Sequence, residues 1–218
     1  MAAIAENLQL VRARIARFPR VKLLAVSKGQ DVERLRAAHD AGQNAFGENY
    51  VQEAVQKMQL LPKLEWHLIG PLQSNKTRIA AERFDWVQTV ASEKVARRLS
   101  EQRPAELAPL NVLIQVNVSA EGTKSGLAPA QVEALAQAVS AMPRLRLRGL
   151  MAIPAPGADR SAYRQMKQVY DSLQSRFAFD TLSMGMSDDL DLALEEGATM
   201  VRVGTAIFGA RKTQKDAA

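Results

Sequence analysis

The chain has 218 residues, 47% of them hydrophobic, which is enough for one large core and carries no compositional mark of disorder. It contains no cysteine, which excludes disulfides, thiolate metal sites and cysteine nucleophiles, and its two histidines, His39 and His67, are too few for a histidine-rich metal site. The formal charge of +6 is dispersed, as in Glu93–Lys94–Val95–Ala96–Arg97–Arg98, and aromatics are sparse, so an anionic small ligand suits it while nucleic-acid binding is not expected.

The first residues lack the basic-then-apolar order of a secretory signal, and no apolar stretch reaches the length of a membrane span. A cytoplasmic protein without membrane contact is therefore expected. A helix over Ile4–Phe18 comes first and is placed to cap the bottom of whatever follows. From Val21 onward, short apolar runs alternate with amphipathic stretches. The predicted strands are Val21–Ser27, Asn44–Gly47, Leu64–Gly70, Asp85–Val90, Asn111–Val118, Arg146–Ala152, Thr181–Gly185 and Thr199–Val203. Between them lie predicted helices at Val32–Ala41, Tyr50–Leu60, Asn75–Arg83, Ser92–Gln102, Pro129–Ala141, Arg160–Arg176 and Ser187–Glu195, with a short one from Thr205. Arg144–Leu145–Arg146–Leu147–Arg148 is the densest basic cluster, and its alternation fits a strand with one solvated edge.

Eight strand–helix units predict an α/β protein, a single-domain closed (β/α)8 TIM barrel, with an open doubly wound sheet as runner-up. The division is a helix over residues 1–20 packed on the barrel, a barrel over 21–211, and a disordered tail over 212–218. The chain is shorter than the ~250 residues usual for this barrel, which leaves little room for a lid or second domain.

Chemistry in such barrels gathers at the C-terminal strand ends. Lys28 ends the first strand, where an amine is expensive to place; desolvation weakens its preference for the charged form and frees it to attack a carbonyl. The plainer reading is a lysine that snorkels to solvent. Gly204–Thr205 opens the last helix and Gly185–Met186–Ser187 the one before it, and helix N-termini after the seventh and eighth strands are the usual phosphate site of this barrel. Ser187 is expected to cap its helix, with Asp188 and Asp189 in the first turn. Arg202 stands inside Met200–Val201–Arg202–Val203, where a guanidinium needs a partner, either a buried carboxylate or a ligand group such as a ring nitrogen. His67 reads more readily as hydrogen-bonded inside the barrel than as a base. Asn49 and Lys76 each open a helix after a strand and face the site, or serve as a cap and a solvated charge. Lysine amine, phosphate cradle and buried arginine together are what a pyridoxal phosphate site requires.

Five segments carry a resemblance. They are Phe46–Gly47–Glu48–Asn49–Tyr50, Trp66–His67–Leu68–Ile69–Gly70–Pro71–Leu72–Gln73–Ser74–Asn75–Lys76, Gly149–Leu150–Met151, Ser183–Met184–Gly185–Met186–Ser187–Asp188–Asp189 and Val201–Arg202–Val203–Gly204–Thr205–Ala206–Ile207–Phe208–Gly209. They closely resemble the pyridoxal phosphate homeostasis protein family, from about Val21 to Arg211. The resemblance implies a barrel like the N-terminal domain of alanine racemase, of the fold type III class, that binds pyridoxal 5′-phosphate (PLP). It implies Lys28 as the Schiff-base lysine, Ser187, Gly204 and Thr205 around the phosphate, Arg202 facing the pyridine nitrogen, Asn49 at the cofactor, and Lys124 as a second lysine near the site. The family buffers and delivers the cofactor without known turnover, influences amino-acid and keto-acid balance, and touches PLP-dependent apoenzymes transiently, here as a monomer. One departure is plain: family members often follow the lysine with Thr–Lys–Pro, whereas this chain reads Gly29–Gln30–Asp31, without a second amine.

Two other readings stay open at this level. One is a PLP-dependent racemase or decarboxylase, which needs a second acid or base; Tyr163 and Tyr170 fall on a predicted outer helix and look badly placed for it. The other is a phosphate-ligand barrel enzyme that uses Lys28 on sugar aldehydes without pyridoxal.

Overall fold

The structure, a computed structural model, describes residues 2–118, 125–155 and 157–210. The predicted tail therefore lies outside the described residues. A helix, α1 (Ala2–Ile15), precedes β1 (Lys22–Val26), α2 (Val32–Asp40), β2 (Ala45–Glu48), α3 (Val51–Leu60) and β3 (Glu65–Leu68). Next come α4 (Thr77–Arg83), β4 (Trp86–Val90), α5 (Glu93–Gln102), β5 (Leu110–Val116), α6 (Val132–Ser140) and β6 (Leu145–Ala152). The chain continues through α7 (Arg160–Phe177), β7 (Thr181–Ser183), α8 (Leu190–Glu195), β8 (Met200–Val203) and α9 (Thr205–Phe208). All eight predicted strands form; most are shorter than predicted, while β2 reaches Glu48 and β5 and β6 begin one residue early, at Leu110 and Leu145. Asp31, Ser92 and Asp159 begin α2, α5 and α7 by accepting hydrogen bonds from the backbone N–H groups of Arg34, Val95 and Ser161. The predicted helices at Asn75 and Pro129 instead open as single 3₁₀ turns, Ser74–Lys76 and Pro129–Gln131, before α4 and α6.

The strands pair in parallel in chain order and close from β8 back to β1, giving the single-domain barrel. The seam aligns Leu24 with Arg202 and Ala25 with Val203. Side chains alternate across each strand. Ala25, Phe46, Trp66, Leu68, Val87, Ile114, Leu182, Val201 and Val203 join the large core under the helices, whereas Leu24, Ile69 and Met200 cluster separately, as do Trp86, Leu113 and Met151. These two small clusters line the barrel's interior.

α1 does not cap the barrel bottom. It packs beside α2 and α9, burying Ile4, Leu8 and Val11, and it is tied on by Asn7 donating to the Ile207 carbonyl at 3.0 Å and Arg12 donating to that of Ala41 at 2.8 Å. The reason is geometric. α9 is a single turn, too short to cover the β8–β1 seam, so α1 completes the outer layer.

Between the two apolar clusters the interior is polar and fully connected. His67 has no exposed surface and stacks on Trp86 with ring centroids 5.0 Å apart. Its Nδ1 accepts from the Gln88 amide at 2.9 Å, which leaves the proton on Nε2 to donate to Glu65 at 2.6 Å. Burial holds the imidazole below its ordinary pKa, while the hydrogen bond from His67 lowers that of Glu65. The reading of His67 as a hydrogen-bonded interior residue describes this position.

Two measurements follow. A Cβ at Gly149, where φ is +147°, would lie 1.9 Å from the Thr181 carbonyl oxygen on β7, so Gly149→Ala must part β6 from β7; urea titration is expected to show a loss of about 2–3 kcal/mol. Because folded His67 holds its proton less tightly than the unfolded chain does, the unfolded state gains protons first as pH falls below about 6.5, and stability drops by at most about 1.4 kcal/mol per pH unit. Unfolding free energies at pH 7 and 5.5 should differ less in His67→Gln than in the wild type, and an equal difference would refute the assignment.

Candidate functional site

Lys28 follows β1 with inward alternation, after Lys22, Leu24 and Val26, and so comes to the C-terminal mouth of the barrel. There it lines a cavity of about 250 Å³ together with Asn49, Ser187, Arg202, Gly204 and Thr205. Every residue that the resemblance assigns to the cofactor, apart from Lys124, is thus brought to one cavity. Lys124 lies outside the described residues. The walls are Val26, Ile69, Ile153 and Met186, and Asp188 also reaches the lining. A neighbouring cavity of about 290 Å³ shares Asn49, Ile69 and Ile153 and adds Thr89, Gln115 and Ser125. Lys76 ends a 3₁₀ turn before α4 and lines neither cavity.

Arg202 rises into the cavity from β8. It is 2% exposed and donates to Ser183 Oγ and to the Ala152 carbonyl, both at 2.8 Å. Neither partner is a carboxylate. Burial pulls its pKa down to about 10, with Asp189 and Tyr163 opposing the fall, so it stays charged at neutral pH. Two of its five N–H donors are spent on those bonds. Ser183 passes the connection inward, donating to Gln88 Oε1 at 2.7 Å, and Gln88 reaches His67. Five side chains, Arg202, Ser183, Gln88, His67 and Glu65, form one hydrogen-bonded line across the barrel.

Opposite lies the turn between β7 and α8. Ser187 does not cap α8, which begins only at Leu190. Its hydroxyl instead accepts from the Ala206 N–H at 3.3 Å, joining this turn to the first turn of α9. The helix starts late because the Asp189 carboxylate is drawn back to the Met186 N–H and the Tyr163 hydroxyl. Gly204 and Thr205 stand at the α9 N-terminus, where the Ile207 and Phe208 N–H groups turn back to the Gly204 carbonyl and the positive end of the helix favours an anion.

Sequence reasoning missed Ser183 and the apolar walls. Ser183 carried a signal, since Thr181 and Ser183 alternate with Leu182 and Met184 in a strand otherwise apolar. Ile69 and Ile153 gave none, because an apolar residue after a strand reads as core. As a test of fit, the cavity supplies a primary amine, a buried guanidinium with donors to spare, and an anion-favouring helix end joined to a serine. These match an aldehyde, a neutral ring nitrogen and a phosphate.

Among the described residues no helix is long and apolar enough to cross a membrane, and no group of three acidic or histidine side chains is placed to hold a metal ion. The model of the alanine racemase N-terminal domain matches residues 1–212. A pyridoxal phosphate homeostasis protein of Escherichia coli is 50% identical over 99% of this chain and 97% of its own, and one of Pseudomonas aeruginosa is 55% identical over 97% of each. The structure of PipY from Synechococcus elongatus without PLP superposes with a TM-score of 0.88 at 39% identity, covering 94% of this chain and all of that one; the same protein has also been solved with PLP bound. Alanine racemase from Corynebacterium glutamicum, 18% identical with a TM-score of 0.77 over 98% of this chain and 62% of that one, shares the fold. The chain belongs to the pyridoxal phosphate homeostasis protein family, built on the alanine racemase N-terminal barrel.

Proposed function

We propose that this protein holds PLP reversibly at Lys28 and serves its homeostasis in the cytoplasm, acting as a monomer that meets PLP-dependent apoenzymes only transiently. The observation that carries the reading is the convergence of Lys28, Arg202 and the Ser187–Gly204–Thr205 corner on one cavity. When bound, the cofactor supplies an aldehyde whose carbon takes the nitrogen of a primary amine as water leaves. Lys28 supplies the amine, and Val26, Ile69 and Ile153 exclude water around it. Arg202 presents a fixed cation and spare donors at the floor, a setting for an unprotonated ring nitrogen. The turn joined by Ser187 and Ala206 offers N–H groups and a hydroxyl to the phosphate.

What supports holding over turnover is the state of the tyrosines. Tyr163 hydrogen-bonds the Asp189 carboxylate, and burial first, then that bond, pushes its pKa up. Tyr170 donates to the Phe179 carbonyl at 3.1 Å, and burial raises its pKa to about 12. Tyr50 begins α3 and lines neither cavity. None of the three offers a proton-transfer partner opposite Lys28. The relatives' names, which describe homeostasis, agree with this reading, and a cavity built from one chain agrees with a monomer.

Adding PLP to the purified protein and reducing with borohydride is expected to leave a pyridoxyl mass on the peptide that carries Lys28, and Lys28→Ala should lose it. No adduct on that peptide in the wild type would sink the proposal. Pyridoxal, which lacks the phosphate, should bind roughly 100-fold more weakly in an absorbance titration, since two or so charge-assisted hydrogen bonds are forgone; equal affinities would remove the phosphate role from Ser187, Gly204 and Thr205.

A further inference from the structure

A buried ion cluster lies behind Lys28, on the far side of the strand from the cavity. Lys57, on the inward stripe of α3 with Val51 and Ala54, is 5% exposed, and Glu48 at the end of β2 is fully buried. The Lys57 ammonium donates at 2.7 Å to each of three acceptors: Glu48 Oε1, Glu53 Oε1 and the backbone carbonyl of Ser27. The same Glu48 oxygen accepts from the Ser27 hydroxyl at 2.6 Å, and the same Glu53 oxygen accepts from the Gly29 N–H at 2.6 Å. All three ammonium hydrogens are used.

The placement of these bonds is what matters. The Ser27 carbonyl belongs to the peptide group before the Lys28 Cα, and the Gly29 N–H to the one after it. One cluster therefore grips both peptide groups that set the φ and ψ of Lys28. Gly29 sits at φ +69°, a conformation that L side chains adopt rarely, and the turn closes with the Gln30 N–H on the Ser27 carbonyl at 3.0 Å. A buried ion pair is by itself poor grounds for a stabilising role, because desolvation offsets attraction. Here burial does raise the pKa of Glu48, with Lys57 and Ser27 pulling it back, and Glu48 Oε2 has no hydrogen-bond partner. A cluster that is costly to bury yet aimed at the two bonds around one residue fits orientation better than stability.

We infer that Lys57, Glu48 and Glu53 are positioning residues for Lys28, fixing its backbone so that its amine is presented to the cavity before any ligand arrives. The inference rests on the reading of Lys28 as the amine that bonds the cofactor. Fixing one residue's backbone in advance is equivalent to roughly 10-fold in affinity for a ligand that bonds through that residue. A ligand that fills the same cavity without bonding the amine gains nothing from it.

Pyridoxine 5′-phosphate provides that contrast, since it carries an alcohol where PLP carries the aldehyde. Glu53→Ala removes the grip on Gly29 at a half-buried helix position and should fold normally; Lys57→Met removes the ammonium that joins the two carboxylates to the Ser27 carbonyl. In Glu53→Ala, PLP is expected to bind roughly 10-fold more weakly and leave faster, while pyridoxine 5′-phosphate binds as before. Glu53→Gln, which keeps an acceptor oxygen for the Gly29 N–H, should restore most of the loss. The visible circular dichroism of the bound cofactor, which reports how the lysine holds it, should change in Glu53→Ala and Lys57→Met. Equal weakening of both ligands would reduce the cluster to a structural role, and unchanged PLP binding in Glu53→Ala would overturn the inference directly. A wild-type protein that prefers PLP no more than pyridoxine 5′-phosphate would overturn the reading of Lys28 and the inference together.

Discussion

A guanidinium that keeps its charge inside a barrel determines much of what surrounds it. Among the described residues no carboxylate pairs with Arg202, and the cost of its burial is met by directed dipoles: the Ser183 hydroxyl, the Ala152 carbonyl and, through Ser183, the Gln88 amide. That requirement propagates. Gln88 can accept from Ser183 only by turning its nitrogen toward His67, and His67 can then be satisfied only by donating to Glu65. The rim cavity and the opposite end of the barrel are thereby joined by complementary donors and acceptors, and the apolar clusters fill the space on either side. A carboxylate beside Arg202 would have satisfied the charge locally, at the expense of leaving no donor for a ligand.

Much of this was legible in the sequence because the barrel makes buried polar residues conspicuous. Lys28 and Arg202 stand out in apolar runs, and the glycines and serine after the last two strands stand out as helix openings. Eight alternating units implied the closed sheet. What was not legible has specific causes. Ser187 looked like a helix cap because a serine before two aspartates usually is one, yet Asp189 is held back by Met186 and Tyr163, and the serine is freed to join the adjacent turn. Lys57 was not singled out from the sequence, although its spacing from Val51 and Ala54 puts it on the inward stripe; a charge among apolar positions at that period was the available signal. The N-terminal helix gave no cue to where it packs, since that depends on α9 being a single turn.

The two faces of β1 divide the work around one amine. Its inward residues lead to the cavity, and Ser27 on the other face meets α3 through the ion cluster, so one strand end is shaped from both sides. Gly29–Gln30–Asp31 follows at once, with Asp31 capping α2. The turn that follows Lys28 is therefore held at both ends, by Glu53 at Gly29 and by the helix cap at Asp31.

The closure of β1 against β8 has a consequence in time. Lys28 leads out of the first strand and Arg202 belongs to the last, and the register that pairs Leu24 with Arg202 joins positions almost the whole chain apart. Such a long loop is costly in entropy to close and is slow to form. During synthesis the cavity therefore has no existence until the final strand has docked, so a partly made chain cannot sequester ligand. A molecule that bridges the seam engages only finished barrels, and by mass action it holds shut the same junction that was last to form.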